Sequence, residues 1–294
     1  MVRYCYFLVM QFKGGRPCCN KKNAQKFGSF KRRSDGRKIA RYRCKTCLKT
    51  FSQATGDPAY YQKTRHLNYT CKFLLSGCVS IRRTAIILGI HRDTVARKLV
   101  FLARQCRKDL AKLSSEYATI STIQFDELQT IEHTKCKPLS VAMAVSVGTR
   151  KILGFQTSKM PATGHLAKIA RQKYGARPDQ RRIGLNQLFQ QLTALLPEAC
   201  EIHSDECSFY KRIVKRHFPS SNYHQFKGAA SRTYGQGELK RNKRDPLFTI
   251  NHTFAMLRAN INRLIRKTWC TTKKISRLND HITIYMWMHN TQLT

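Results

Sequence analysis

The spacing of apolar and polar positions changes twice along the chain. Residues 1–57 show little periodicity and are rich in Cys, Gly, Lys and Arg. Residues 58–115 repeat apolar positions at helical spacing. From residue 116 onward short strands come first, and strands mixed with helices follow. We therefore predict three domains, covering residues 1–57, 58–115 and 116–294, the last with an α/β fold.

The second of these segments predicts a helix-turn-helix over residues 80–110. A short helix is closed by Gly89, a turn follows, and a second helix begins near Arg92. In a helix-turn-helix the start of the second helix enters the major groove of DNA. An ordinary helical hairpin with a solvated basic face is the alternative. The residues predicted to point outward and touch DNA are Arg92, Thr94, Arg97 and Lys98.

The third segment places two carboxylates at the ends of strands. Three successive antiparallel strands are predicted within residues 122–155, and the first of them ends at Asp126. After a helix-rich stretch at 162–196, another short apolar strand ends in Asp205 and runs into a helix. An RNase H-like fold, a mixed sheet flanked by helices, places two carboxylates on neighbouring strands in this way. The alternative is that Asp126 ends a strand and pairs with a lysine or arginine.

Such a carboxylate pair suits phosphodiester chemistry. In-line cleavage needs an activated nucleophile on one side of the phosphorus and a stabilised leaving oxygen on the other. Two Mg²⁺ ions about 3.5–4 Å apart supply both. Because Mg²⁺ takes a few carboxylates together with water and phosphate oxygens, Asp126 and Asp205 are predicted to be its ligands.

The charge balance indicates a polyanionic partner. The chain has 55 Lys and Arg against 16 Asp and Glu, a formal net charge of +39. A field of this size attracts nucleic acid. A basic protein that only coats RNA is the simpler alternative. No apolar run approaches the length of a membrane span, and the apolar residues 5–10 are too short for a signal peptide. We expect a cytoplasmic, DNA-associated protein without a membrane partner.

Cysteines in the first segment are candidate zinc ligands. Cys44 and Cys47 form a Cys-x-x-Cys pair, and a structural zinc site needs a second pair to supply four thiolates. The upstream candidates are Cys18 and Cys19, which are adjacent instead of separated by two residues. We therefore predict either a zinc ribbon that uses these cysteines or an empty, degenerate site. The twelve cysteines of a chain with no sign of export fit a reducing setting.

Several motifs together resemble a known family. The segment at 41–52, the helix-turn-helix, the motifs around Asp126 and Asp205, and the block at 245–274 resemble bacterial insertion-sequence transposases of the DDE type. These enzymes carry an N-terminal zinc ribbon, a helix-turn-helix and an RNase H-like catalytic domain. The resemblance covers most of the chain from about residue 40 onward.

The resemblance also implies the remaining catalytic residues. It makes Asp126 and Asp205 the first two catalytic carboxylates, and it puts Asn251 at the third position, as in a branch of the family with Asp, Asp and Asn. Arg258, seven residues later on the same helix face, would hold a phosphate. Glu238 and Asp245 are the other candidates for the third acid.

The function implied is that of a DNA transposase. It would bind the terminal inverted repeats of its own insertion sequence, cleave a strand at each end with Mg²⁺, and join the freed end to target DNA. Because two ends are handled together, a homodimer or larger assembly on double-stranded DNA is expected. A different class remains open: a DNA-binding regulator or decayed copy whose catalytic domain is inactive. A tyrosine recombinase that uses Tyr285 is a further rival.

Overall fold

The structure, a computed structural model, describes residues 24–33, 35–227, 245–265 and 269–293. Two compact units divide between Tyr69 and Thr70. In the described part of the first unit, three strands form an antiparallel sheet in the order β1-β2-β3. The strands are β1 (Ala24–Lys31), β2 (Lys38–Cys44) and β3 (Thr50–Ser52).

The turn between β2 and β3 contains the predicted Cys-x-x-Cys pair. The backbone N–H of Cys47 donates to the Sγ of Cys44 over 3.5 Å, and Leu48 adopts a left-handed backbone with φ of 60°. The N–H of Leu48 donates to the carbonyl of Cys44, which closes the turn. This tight turn holds Cys44 and Cys47 on one short loop.

The second unit contains the predicted pair of helices and its turn. Three helices come first, and the turn lies between the second and third of them: α1 (Asn68–Ser76), α2 (Ile81–Leu88) and α3 (Arg92–Lys112). The side chain of Ser80 accepts a hydrogen bond from the first turn of α2, and Gly89 ends that helix with a left-handed φ of 61°. His91 caps α3 by accepting at Nδ1 from the N–H of Asp93 over 3.2 Å. These caps fix the ends of both helices.

A mixed five-stranded sheet forms the centre of the second unit. Its order is β6-β5-β4-β7-β8; β4, β5 and β6 are antiparallel neighbours, whereas β7 runs parallel to β4 and β8 parallel to β7. The strands are β4 (Thr122–Glu132), β5 (Thr134–Ser146), β6 (Ile152–Lys159), β7 (Glu201–Asp205) and β8 (Asn222–Phe226). This sheet, with helices on both faces, is consistent with the predicted RNase H-like domain.

Helices cover the two faces of this sheet because its strands alternate their side chains. One face packs Phe125 against α5 and α6 through Phe189 and Tyr210. The other packs Met143 against α7 and α8. The helices of this part are α4 (Leu166–Tyr174), α5 (Arg181–Thr193), α6 (Tyr210–His217), α7 (Phe248–Asn260) and α8 (Ile275–Met288).

Close packing joins α5 to the sheet. A Cβ added at Gly184 of α5 would collide with the side chain of Ser158 on β6. Glycine at position 184 therefore lets the helix backbone approach the strand closely. By contrast, a Cβ at Gly148, in the turn between β5 and β6, would meet nothing within 4 Å.

The predicted domain boundary at residue 116 does not separate two compact units. Helix α3 packs along α8, where Ile284 joins the apolar cluster of the helix pair. The buried carboxylate of Asp280 on α8 accepts from Arg107 of α3 over 2.8 Å and from Arg277. The helix pair and the sheet therefore belong to one unit, since α8 packs against both. No described helix combines the length and apolarity that a membrane span requires.

Candidate active site

The parallel pairing of β4 and β7 brings the two predicted carboxylates together. Gln124 pairs with His203 in this ladder, and Asp126 and Asp205 each follow two residues later. Since side chains two residues apart lie on the same face of a strand, both carboxylates project from the face that α7 covers. Asp205 is the last residue of β7, as predicted, but the prediction that the first strand ends at Asp126 was wrong, because β4 continues to pair with β5 as far as Glu132.

The two carboxylates share a poorly solvated site. The pKa of Asp126 is raised to about 7, mainly by burial and also by the negative charges of Asp205 and Glu127, against a hydrogen bond from the Glu127 N–H that lowers it. Burial also raises the pKa of Asp205, with a smaller effect from Glu206. Within the described chain, Oδ1 of Asp205 is buried and has no hydrogen-bond partner. Two crowded carboxylates with an unsatisfied oxygen form a site that a cation would stabilise.

A glutamine on the same strand face positions α7 over the carboxylates. Gln124 is 3% exposed; its Nε2 donates to the carbonyl of Pro246 over 2.8 Å, and its Oε1 accepts from the N–H of Ile250 over 3.1 Å. Both partners belong to the start of α7, so the side chain fixes this helix end on β4. Gln124 was not among the site residues predicted from the sequence. Its only local signal is a polar residue at an apolar strand position.

Asn251, on the first turn of α7, is oriented by Asp245. The Asn251 Nδ2 donates to Oδ2 of Asp245 over 2.8 Å, while Oδ1 of Asp245 accepts from the Leu247 N–H over 3.0 Å. Asp245 therefore fixes the start of the helix, and its carboxylate accepts the hydrogen bond from the amide nitrogen of Asn251. The carbonyl oxygen is then the atom of Asn251 that suits a cation.

Arg258 lies two turns further along α7, at the wall of a cavity of about 530 Å³ that Glu127 also lines. The carboxylate of Glu127 accepts from Ser140 over 2.6 Å and from the Tyr210 hydroxyl over 3.2 Å. Tyr210 belongs to the helices on the face opposite α7. Both oxygens of Glu127 are therefore tied to protein donors.

The donor atoms of the site fit Mg²⁺. Two carboxylates and one amide carbonyl are the hard oxygen ligands that this ion takes, alongside water and substrate oxygens. In the described ranges, no group of three or more His, Cys, Asp or Glu side chains is arranged to hold a metal. A site formed by Asp126, Asp205 and Asn251 has two such side chains, and phosphate or water oxygens would complete its coordination.

The predicted zinc ligands are described only in part. Cys44 is buried and Cys47 partly exposed on the turn after β2. Cys18 and Cys19 lie outside the described residues, as do Glu238 and the other residues of 228–244.

The predicted DNA contacts on α3 differ in exposure. Arg92 and Arg97 are exposed and Thr94 is partly exposed. The prediction that Lys98 points outward was wrong. Lys98 is 4% exposed, and burial lowers its pKa. Position 98 lies three residues after Val95 and four before Leu102, so it falls on the buried stripe of the helix. The outward face of α3 therefore carries Arg92 and Arg97 without Lys98.

No protein-family model matches the chain, and no curated protein matches its sequence. Among solved structures, the catalytic domain of Mos1 mariner transposase is similar over 64% of this chain and 83% of that chain. The sequence identity is 12% and the TM-score 0.29. A likeness this distant carries no weight for function. The strand order and the residues of the site are the observations that bear on it.

Proposed function

We propose that the protein is a metal-dependent DNA transposase that cleaves the strands at the ends of its insertion sequence and joins them to target DNA. One observation supports this most: Asp126 and Asp205 meet on adjacent parallel strands, in a sheet of RNase H-like order, with raised pKa values. Keeping two carboxylates charged in a poorly solvated site costs free energy, and a bound cation would remove that cost and so be bound more tightly.

Each residue of the site has a role in this proposal. Asp126 and Asp205 would hold two Mg²⁺ ions, and the carbonyl oxygen of Asn251 would be a weaker ligand. When bound, the ions supply a water of lowered pKa and stabilise the leaving 3′ oxygen. Arg258 holds a phosphate beside the cut. The hydrogen bond from the Asn251 Nδ2 to Asp245 would leave the carbonyl oxygen of Asn251 available to an ion.

The DNA-binding part of the proposal rests on charge and helix geometry. The net charge of +39 attracts the DNA backbone, and the exposed Arg92 and Arg97 on α3 read the terminal inverted repeats in the major groove. The cysteines at 18, 19, 44 and 47 would bind Zn²⁺ in the first unit. A homodimer holds the two ends together on DNA.

The test is strand cleavage of DNA that carries the element's ends, with Mg²⁺ or with EDTA. Wild type is expected to nick at the ends only with Mg²⁺. Asp126→Asn and Asp205→Asn should each lose cleavage. Both should still bind the same DNA within about twofold of wild type, because the carboxylates they remove repel phosphate and so do not contribute to DNA affinity. Asp179→Asn, which removes a surface carboxylate paired with Arg181, is the matched control and should cut normally. Cleavage at the wild-type rate by either site variant contradicts the proposal.

A second candidate is a DNA-binding regulator without catalytic activity. The amide at position 251 favours it, because a neutral carbonyl binds Mg²⁺ more weakly than a third carboxylate would. Tight binding of the ends without Mg²⁺-dependent nicking by wild type would support the regulator. In that case Asn251→Asp, which restores a carboxylate, should be compared with wild type for recovered nicking.

A further inference from the structure

The cavity beside the second half of β4 has a wall of mixed character. It lies between the segment 160–166 and the segment 258–265, and its volume is about 530 Å³. Apolar side chains such as Met160 and Leu264 line one part, and Arg258, Arg263 and Lys135 line another. This combination suits a ligand with an anionic group and a less polar body.

Arg263 is the least expected group in this cavity. Its Nε donates to Nδ1 of His281 over 2.9 Å. His281 is 3% exposed, and burial together with the charge of Arg263 lowers its pKa to about 3, so it accepts this bond as a neutral ring. Among the described residues, Arg263 forms no salt bridge with a carboxylate. The guanidinium is thus held in place without being neutralised.

Burial makes that arrangement costly for the protein alone. It lowers the pKa of Arg263, and the nearby Arg277, itself paired with Asp280, adds to the effect. Buried charges are ordinarily paired. An arginine kept charged by a neutral acceptor at a cavity wall is therefore suited to an anion from outside the chain.

The other charges at the cavity point the same way. Arg258 and the exposed Lys135 are cations, and Glu127 is the one carboxylate among the described lining residues. The Glu127 oxygens already accept from Ser140 and Tyr210, so they are tied to protein donors. With Arg263 and Lys135 against the single carboxylate of Glu127, the described lining of the cavity therefore keeps a positive balance.

We propose that this cavity binds a phosphate of a single DNA strand, with Arg263 as a direct ligand and Lys135 at the rim. The inference rests on the proposed function, because it takes that strand to belong to the DNA that the carboxylate pair would cut. The planar guanidinium fork fits two phosphate oxygens. Because apolar side chains such as Met160 and Leu264 line one part of the cavity, an unpaired nucleotide, whose base could pack on them, fits it better than a duplex does.

The test measures binding of a short fluorescent single-stranded oligonucleotide by anisotropy in EDTA, where no cleavage occurs. Arg263→Gln should weaken binding by about tenfold or more, the range for a lost charge-assisted bond. Lys135→Gln should weaken it by about threefold and, being an exposed change, leaves the fold intact. Lys112→Gln, on the exposed end of α3, is the charge-matched control and should change binding by less than about twofold. An oligonucleotide with an abasic backbone should compete nearly as well as the intact strand.

The outcomes separate this inference from the proposed function. If Arg263→Gln and Lys135→Gln both bind like Lys112→Gln while wild type still cuts DNA, the cavity assignment is wrong and the transposase proposal stands. If wild type never cuts but the two cavity variants alone lose single-strand binding, the cavity assignment stands and the transposase proposal falls. Loss of binding by Arg263→Gln alone, accompanied by a lower melting temperature, would show a structural role for Arg263 and overturn the assignment.

Discussion

The raised pKa of Asp126 makes a prediction about stability that requires no DNA. In the folded protein this carboxyl keeps its proton to about pH 7, whereas its ordinary pKa is 3.8. As pH rises from about 4 to 7 the unfolded chain releases this proton and the folded chain does not. Stability is therefore lost over that window, and Asp126→Asn, which cannot ionise, should not lose it.

The size of the effect follows from the shift. About three pK units at 1.36 kcal/mol each give a cost near 4 kcal/mol above pH 7. At pH 5 the same relation gives about 2 kcal/mol. The free energy of unfolding of Asp126→Asn, relative to wild type, should therefore rise by about 2–3 kcal/mol between pH 5 and pH 8. The asparagine oxygen can still accept the Glu127 N–H, so the local hydrogen bond is retained.

The assay is urea unfolding at several pH values between 5 and 8 in EDTA. Asp179→Asn is a control in which the pKa shift has the opposite sign, because the hydrogen bond from Arg181 lowers the pKa of Asp179. It should not gain stability at pH 8. Adding Mg²⁺ at pH 8 should stabilise wild type and leave Asp126→Asn nearly unchanged, since the ion replaces the proton on the carboxylate. Parallel pH curves for wild type and Asp126→Asn would refute the burial and charge argument.

Three further outcomes are expected. In mobility-shift assays with end DNA, Arg97→Ala should bind about threefold to tenfold more weakly than wild type. Lys98→Met, at a buried position, should stay within about twofold of wild type. Equal losses of binding by the two variants would reject the assignment of DNA contacts to the outward face of α3. Asp280→Ala should lower the free energy of unfolding by about 2–3 kcal/mol in urea, because it leaves two arginines without their shared carboxylate; an unchanged midpoint would deny the link between α3 and α8. Gly184→Val should cost about 2–3 kcal/mol by the same assay and Gly148→Val less than about 1, as the space at each position requires.

Local pattern was sufficient for much of the fold. The period-two runs around Asp126 and Asp205 predict strands, and both residues lie on strands β4 and β7. Gly89 predicts a helix end, and the helix ends there with a left-handed backbone. These features depend on neighbours within a few residues, so the sequence contains the needed information.

Other features depend on contacts between distant residues. The outward orientation predicted for Lys98 was wrong because the buried stripe of α3 is wider than the apolar residues alone indicate, and α3 packs on α8. The boundary predicted at residue 116 separates patterns of periodicity, whereas the same packing joins those segments into one unit. Neither follows from a local pattern.

By itself, the sequence determined the net charge of +39, which would attract a polyanion, and it indicated that Asp126 and Asp205 lie on strands. The tertiary structure alone decided that β7 lies beside β4, and with it the neighbourhood of Asp126 and Asp205. It also decided that Gln124 fixes α7 over that pair and that Arg263 shares a cavity with Lys135. The reason is physical: strand and helix periodicity are set by neighbouring residues, whereas burial, register and charge proximity are set by residues that are distant in the sequence.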